Sequence, residues 1–197
     1  MLSCDNKENH PKKNFSLKGK IKGDFQGVLY FEYSNILDRV SATDGTFNFE
    51  GVVEKPSLAY LILNFPFSNK PMTAIDFMLE NENISVFVHY QKPNSEGALV
   101  NFLDLYSIRG SKSQDLKTGF ELHMENKFHP ATNDSIKTNL LYQNLDKFIS
   151  ANSQSVLGGQ FLLKFTLFYD VLNFDYIKTL YQKLDTVYQN TTDLERI

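Results

Sequence analysis

Phe15-Ser16-Leu17-Lys18-Gly19-Lys20-Ile21-Lys22 alternates apolar or small residues with polar ones at every step. Successive side chains of an extended chain point to opposite faces, so this period of two buries one face and wets the other. Phe15, Leu17, Gly19 and Ile21 turn toward a core; Ser16, Lys18, Lys20 and Lys22 turn toward water. The stretch is a half-buried strand, and it sets the fold class of the N-terminal half.

Residues 23–27 read as a turn, and 28–33 as a second strand rich in β-branched and aromatic side chains, so the two should form a hairpin. Residues 39–43 and 46–53 flank Asp44-Gly45, the pair favoured where a type I′ turn needs positive φ at both central positions. Pro56 ends that ladder. Strands come next at 60–65, 75–79, 84–90 and 99–109, with a hairpin across Glu80-Asn81-Glu82-Asn83 and loops holding Pro66, Pro71, Pro93 and Gly97. About eight short strands at regular spacing predict an antiparallel β-sandwich.

Past Gly110 the period becomes helical. Helices are expected over 111–128, 134–149, 153–172 and 174–188, the first weakened by Gly119 and separated from the second by Pro130. Ile136, Leu140, Leu141, Leu145, Phe148 and Ile149 form one stripe, and Phe174, Ile177, Tyr181, Leu184 and Tyr188 another. Leu157, Phe161, Leu162, Phe165, Phe168 and Leu172 make 153–172 the central buried helix, with Gly158-Gly159 marking the close approach of a neighbouring backbone or a frayed first turn. The fold class is α+β by segregation: a polar tether at 1–14, a sandwich at 15–110 and three or four helices at 111–197.

The 197 residues carry a net charge of −3 and 42% hydrophobic residues, enough apolar mass for one sizeable core or two small ones. So even a balance argues against nucleic-acid binding. Cys4 is the one cysteine, which excludes an internal disulfide, a CxxC pair and a cysteine-rich zinc site. Leu2-Ser3-Cys4, followed by Asp5, Asn6, Lys7, Glu8 and Asn9, reads like a bacterial lipoprotein cleavage site opening onto a tether, although the charged and apolar leader segments of such a site do not precede it here. Cys4 is the expected lipidation site; a disordered terminus accounts for the same polar residues. Any membrane attachment is expected through that lipid, since no run reaches the roughly 18 apolar residues of a spanning helix.

Catalytic constellations are sparse. His10, His89, His123 and His129 include no i, i+4 pair. Asp76, Glu80 and Glu82 cluster around one hairpin but read as an exposed edge rather than a catalytic pair. Lys18, Lys20 and Lys22 form a basic strand face, read as solvated surface or as a guard against edge pairing. No GxSxG or Gly-rich phosphate loop occurs, and Ile108-Arg109-Gly110-Ser111 reads as the close of the β-domain. Neither a catalytic residue nor a cofactor is expected.

Phe15 to Gly23, Gly27-Val28-Leu29-Tyr30-Phe31, Asp44 to Gly51, Pro56-Ser57-Leu58-Ala59-Tyr60, Leu79 to Ile84 and Ile108-Arg109-Gly110-Ser111 occur in an order that resembles a known family. That family is the uncharacterised domain preceding an AhpC/TSA-type, thioredoxin-like oxidoreductase domain in Bacteroidetes lipoproteins. The helices through Leu180-Tyr181-Gln182-Lys183-Leu184 are similar to its connector. The resemblance implies an envelope location, periplasmic or anchored in the outer membrane, and an accessory role toward a thioredoxin-like partner whose fold would begin near Ile197. The alternative is a free-standing envelope lipoprotein that binds a peptide, glycan or lipid. A homodimer is a further expectation.

Overall fold

The computed structural model describes residues 14–63, 73–91, 102–128, 133–168 and 173–189. Cys4, His10, His129, Leu172 and the prolines at 66, 71, 93 and 130 lie outside them, as do Gly97 and the first residues of the strand expected from 99. Among the described residues the chain forms β1 (Phe15–Lys22), β2 (Val28–Tyr33), β3 (Ile36–Ser41), β4 (Thr46–Gly51), β5 (Ser57–Ile62), β6 (Ala74–Leu79), β7 (Asn83–Gln91) and β8 (Phe102–Arg109). The helices are α1 (Lys112–Phe128), α2 (Asp134–Ala151), α3 (Val156–Phe168), α4 (Phe174–Lys183) and α5 (Thr186–Gln189). The chain divides into two compact units between Ser111 and Lys112.

The strands build two four-stranded sheets, ordered β4-β1-β7-β8 and β3-β2-β5-β6. The second is antiparallel throughout. In the first, β1 runs antiparallel to β4 but parallel to β7, which makes it a mixed sheet. The alternation of β1 holds: Phe15, Leu17 and Ile21 are buried and Lys18, Lys20 and Lys22 are exposed. Gly19 faces inward, and the Phe47 ring from β4 occupies the space its missing side chain leaves.

Three expected hairpins are corrected. β1 and β2, β3 and β4, and β6 and β7 are each split between the two sheets, so the turns joining them carry the chain across the sandwich. Only Gly45 of the Asp44-Gly45 pair has positive φ, which excludes type I′. The Asp44 carboxylate instead accepts from Thr46 N at 2.9 Å and Thr46 Oγ1 at 2.8 Å. Gly45 O accepts from Ile21 N at 2.7 Å and so starts the β4–β1 ladder, while buried Ala42 donates to Gly27 O. The two-residue turn with positive φ at both positions is Ser34-Asn35, at 45° and 65°, which pairs β2 with β3. At the β6–β7 crossing the Asn81 side chain accepts from Val53 N at 2.9 Å and donates to Val53 O, clamping the segment that leaves β4.

Interlocked rings fill the space between the sheets. Phe31 of β2 is fully buried, stacked on Tyr33 at 4.9 Å and close to Phe49 at 4.8 Å, with Phe15 and Phe77 each at 6.1 Å. Phe15 and Phe49 belong to the opposite sheet, so this ring ties the two layers together.

The helical unit has its own core, in which Phe120 of α1 meets Phe148 of α2 at 4.3 Å and Phe161 of α3 at 4.6 Å. Leu141, Leu145 and Ile149 of the expected α2 stripe are buried, but Ile136 is exposed. Leu157, Phe161, Leu162 and Phe165 bury α3 as its composition predicts. That helix begins at Val156, where the Ser155 hydroxyl accepts from Leu157 N. Gly158 makes room for the Leu184 side chain, not for a backbone. The helix expected over 174–188 breaks at Leu184, whose extended backbone ends α4 while its side chain stays buried; Asp185 then starts α5 by accepting from Val187 N. Phe174, assigned to the buried stripe, is exposed.

Candidate functional site

The parallel β1–β7 pairing decides which outward side chains become neighbours. It sets Lys18 beside Ser85, Lys20 beside Phe87 and Lys22 beside His89. Antiparallel β8 adds Arg109 next to Ser85, Ser107 next to Phe87 and Asp104 next to His89. On the other side of β1, β4 places Asn48 by Lys18 and Thr46 by Lys20. The result is an outer face with a row of three lysines, uncharged neighbours on both sides of Lys18 and Lys20, and an arginine two strands from Lys18.

A bulge completes the face. Phe87 pairs with Ser107 but Val88 pairs with Leu105, so Tyr106 is the extra residue of β8. Bulges re-aim side chains locally. Tyr106 is 75% exposed, and its ring packs edge-on against Phe87 at 5.4 Å. Lys18, Lys20, Ser85, Phe87, Tyr106 and Arg109 line an open groove of about 520 Å³.

The electrostatics of this face stand out from its surroundings. Lys18, Lys20, Lys22 and Arg109 are four of the eight Lys and Arg residues between 15 and 110, a segment with eleven Asp and Glu. Among the described residues none of the four has a carboxylate partner. Their ammonium and guanidinium groups are therefore free to meet an anionic group from outside, with the half-buried Phe87 and the exposed Tyr106 beside them.

The other candidates are dispersed. Asp76 is exposed on β6 of the antiparallel sheet, whereas Glu80 and Glu82 sit in the crossing to β7, where Glu82 O accepts from Ser16 N at 3.1 Å. His89 is half-buried on the outward register. His123 donates from Nε2 to Asn144 Oδ1 at 2.9 Å on the helical unit. Among the described residues no group of three His, Cys, Asp or Glu side chains is placed to hold a metal ion. Gly110 closes the sandwich at φ +91°, its Cα facing the Asn83 carbonyl oxygen.

Sequence alternation identified the three lysines but not Phe87, Tyr106, Ser85 or Arg109 as their neighbours. Strand adjacency between β1 and β7 has no local signature, and the bulge at Tyr106 follows no turn residue.

Fold and face together define a class: a two-sheet β-sandwich with one mixed sheet and a basic, aromatic outer surface, followed by helices. No curated protein and no solved structure matches this chain. A family model matches residues 15–116, which takes in all eight strands and the start of α1. The chain belongs to that family, described as Domain of unknown function (DUF4369).

Proposed function

We propose that this chain is a non-catalytic accessory module of an exported thiol-disulfide oxidoreductase system, in which the β-domain docks or positions a thioredoxin-like domain. The observation that carries the docking role is the outer face of β1, β7 and β8, where cations without a carboxylate partner among the described residues flank the half-buried Phe87 ring and the exposed Tyr106 ring. Packed rings occupy the space between the sheets, which favours an exterior surface over an internal ligand. The resemblance to domains that precede thioredoxin-like domains in lipoproteins supplies the redox context, and Leu2-Ser3-Cys4 supports an envelope anchor. With Cys4 the only thiol, a dithiol cycle falls to the partner.

The test mixes the purified chain with a thioredoxin-fold domain taken from a lipoprotein in which a domain of this family precedes it. Titration calorimetry should register saturable binding, and the chain alone should not accelerate the reduction of insulin disulfides by dithiothreitol. Insulin reduction above the dithiothreitol background, or the absence of any binding heat, would refute the reading.

A further inference from the structure

We infer that the outer face of β1, β7 and β8 takes an extended acidic segment of a partner protein, with carboxylates at alternate residues; this rests on the docking role proposed above. Lys18, Lys20 and Lys22 occupy every second position of one strand. Their attachment points therefore repeat at about 6.6 Å, twice the rise per residue of an extended chain. A second extended chain lying along β1 repeats its own side chains at that same interval, so Asp or Glu at alternate positions meets each lysine in turn.

The flanks fit a narrow occupant. Asn48 and Thr46 on one side and Ser85 on the other offer hydrogen-bonding groups without charge. Phe87 one strand over and Tyr106 two strands over give an apolar step, suited to an aromatic or aliphatic side chain of the same segment. Arg109 adds a planar donor at the far side of the Lys18 row.

Two carboxylates argue against a flat anionic surface. Glu50 is exposed beside Ser16 at one end of the lysine row, and Asp104 is exposed two strands from Lys22 at the other. A bilayer of anionic headgroups would press on both, whereas a single chain along β1 passes between them.

The experiment measures fluorescence anisotropy of a fluorescein-labelled peptide alternating Ser and Asp, against an isomer with the same composition in one Asp block and one Ser block. The alternating peptide should bind the full chain at least about fivefold more tightly, with affinity falling as salt rises. Replacing Lys18, Lys20 and Lys22 together by Gln should weaken it about tenfold, given the modest worth of each exposed pair. The triple Arg variant should retain binding, and matching thermal melts establish that both variants fold. Equal affinity for the two isomers, undiminished binding by the Gln variant, or no binding overturns the inference. Tighter binding of an oligogalacturonate or of phosphatidylglycerol vesicles overturns it in favour of a glycan or a membrane. If the thioredoxin-fold domain still binds the Gln variant unchanged, this inference fails and the docking role stands; if that domain does not bind the native chain while the alternating peptide does, the redox context fails and this inference stands.

Discussion

Replacing Phe31 by Ala removes the ring that joins the two sheets. Phe31 is wholly buried with four aromatic neighbours, two of them in the opposite sheet. Truncating a buried Phe costs ~3–5 kcal/mol, and the lost ring pairs place this site in the upper part of that range, at ~4–5 kcal/mol. A sandwich of this size has only ~5–15 kcal/mol to lose. With a urea slope of ~1.5 kcal/mol/M, the midpoint should fall by ~3 M at constant slope. Tyrosine fluorescence reports the transition, because the chain has no Trp and Tyr33 stacks on Phe31. Phe87→Ala serves as the contrast: that ring lies on the outer face, half-buried, and should cost only ~1 kcal/mol. A Phe31→Ala midpoint shift below ~1 M, or one no larger than that of Phe87→Ala, would refute the claim that this ring holds the layers together.

Gly110→Ala should destabilise the sandwich by at least ~2 kcal/mol in the same urea assay, since φ +91° is strained for any side chain and the new Cβ meets the Asn83 backbone. Asn81→Ala strips both partners from the Val53 backbone and should cost ~1–3 kcal/mol, with faster amide exchange at Val53. Burial, then the nearby Asp146 carboxylate, then Tyr142, push the Tyr176 hydroxyl up to about 12 from its ordinary 10.0. Its protonated form is favoured by folding, so that stabilisation is complete below pH 10 and is lost as pH rises toward 12. Tyrosinate absorbance should therefore show late titration that loses one group in Tyr176→Phe, while Tyr33, also raised by burial and by Asp38, stays late in that variant.

Local alternation made the strands legible where a strand buries one face, and the β1 pattern names its own inward residues; β3 has no buried residue and β6 buries Phe77, Met78 and Leu79 in succession. Pairing was less legible. Asp44-Gly45 carries the composition of a hairpin turn, but Asp44 spends its side chain on Thr46 and keeps negative φ, and the turn leads into the other sheet. Ser34-Asn35 makes the tight turn with a weaker sequence signal, since Ser rarely adopts positive φ. The helices followed their apolar spacing except at their ends. Phe174 and Ile136 match the stripe by position yet are exposed, and capping by Asp185 splits the last helix. Of the candidate face, only the β1 lysines could be read in advance; the rest depends on which strands lie side by side.

The parallel pairing at the centre of the mixed sheet also orders events in time. A chain emerging N-terminus first presents β1 well before β7 exists, so one side of β1 has no backbone partners until nearly the whole β-domain has been made. Such non-local closure is slow, because loop entropy must be lost before the contacts form. β2 and β3, joined by two residues, can pair early. The lysine row therefore gains its aromatic and arginine neighbours only at the last stage of assembly, and a partner that recognises all of them together discriminates finished domains from nascent ones.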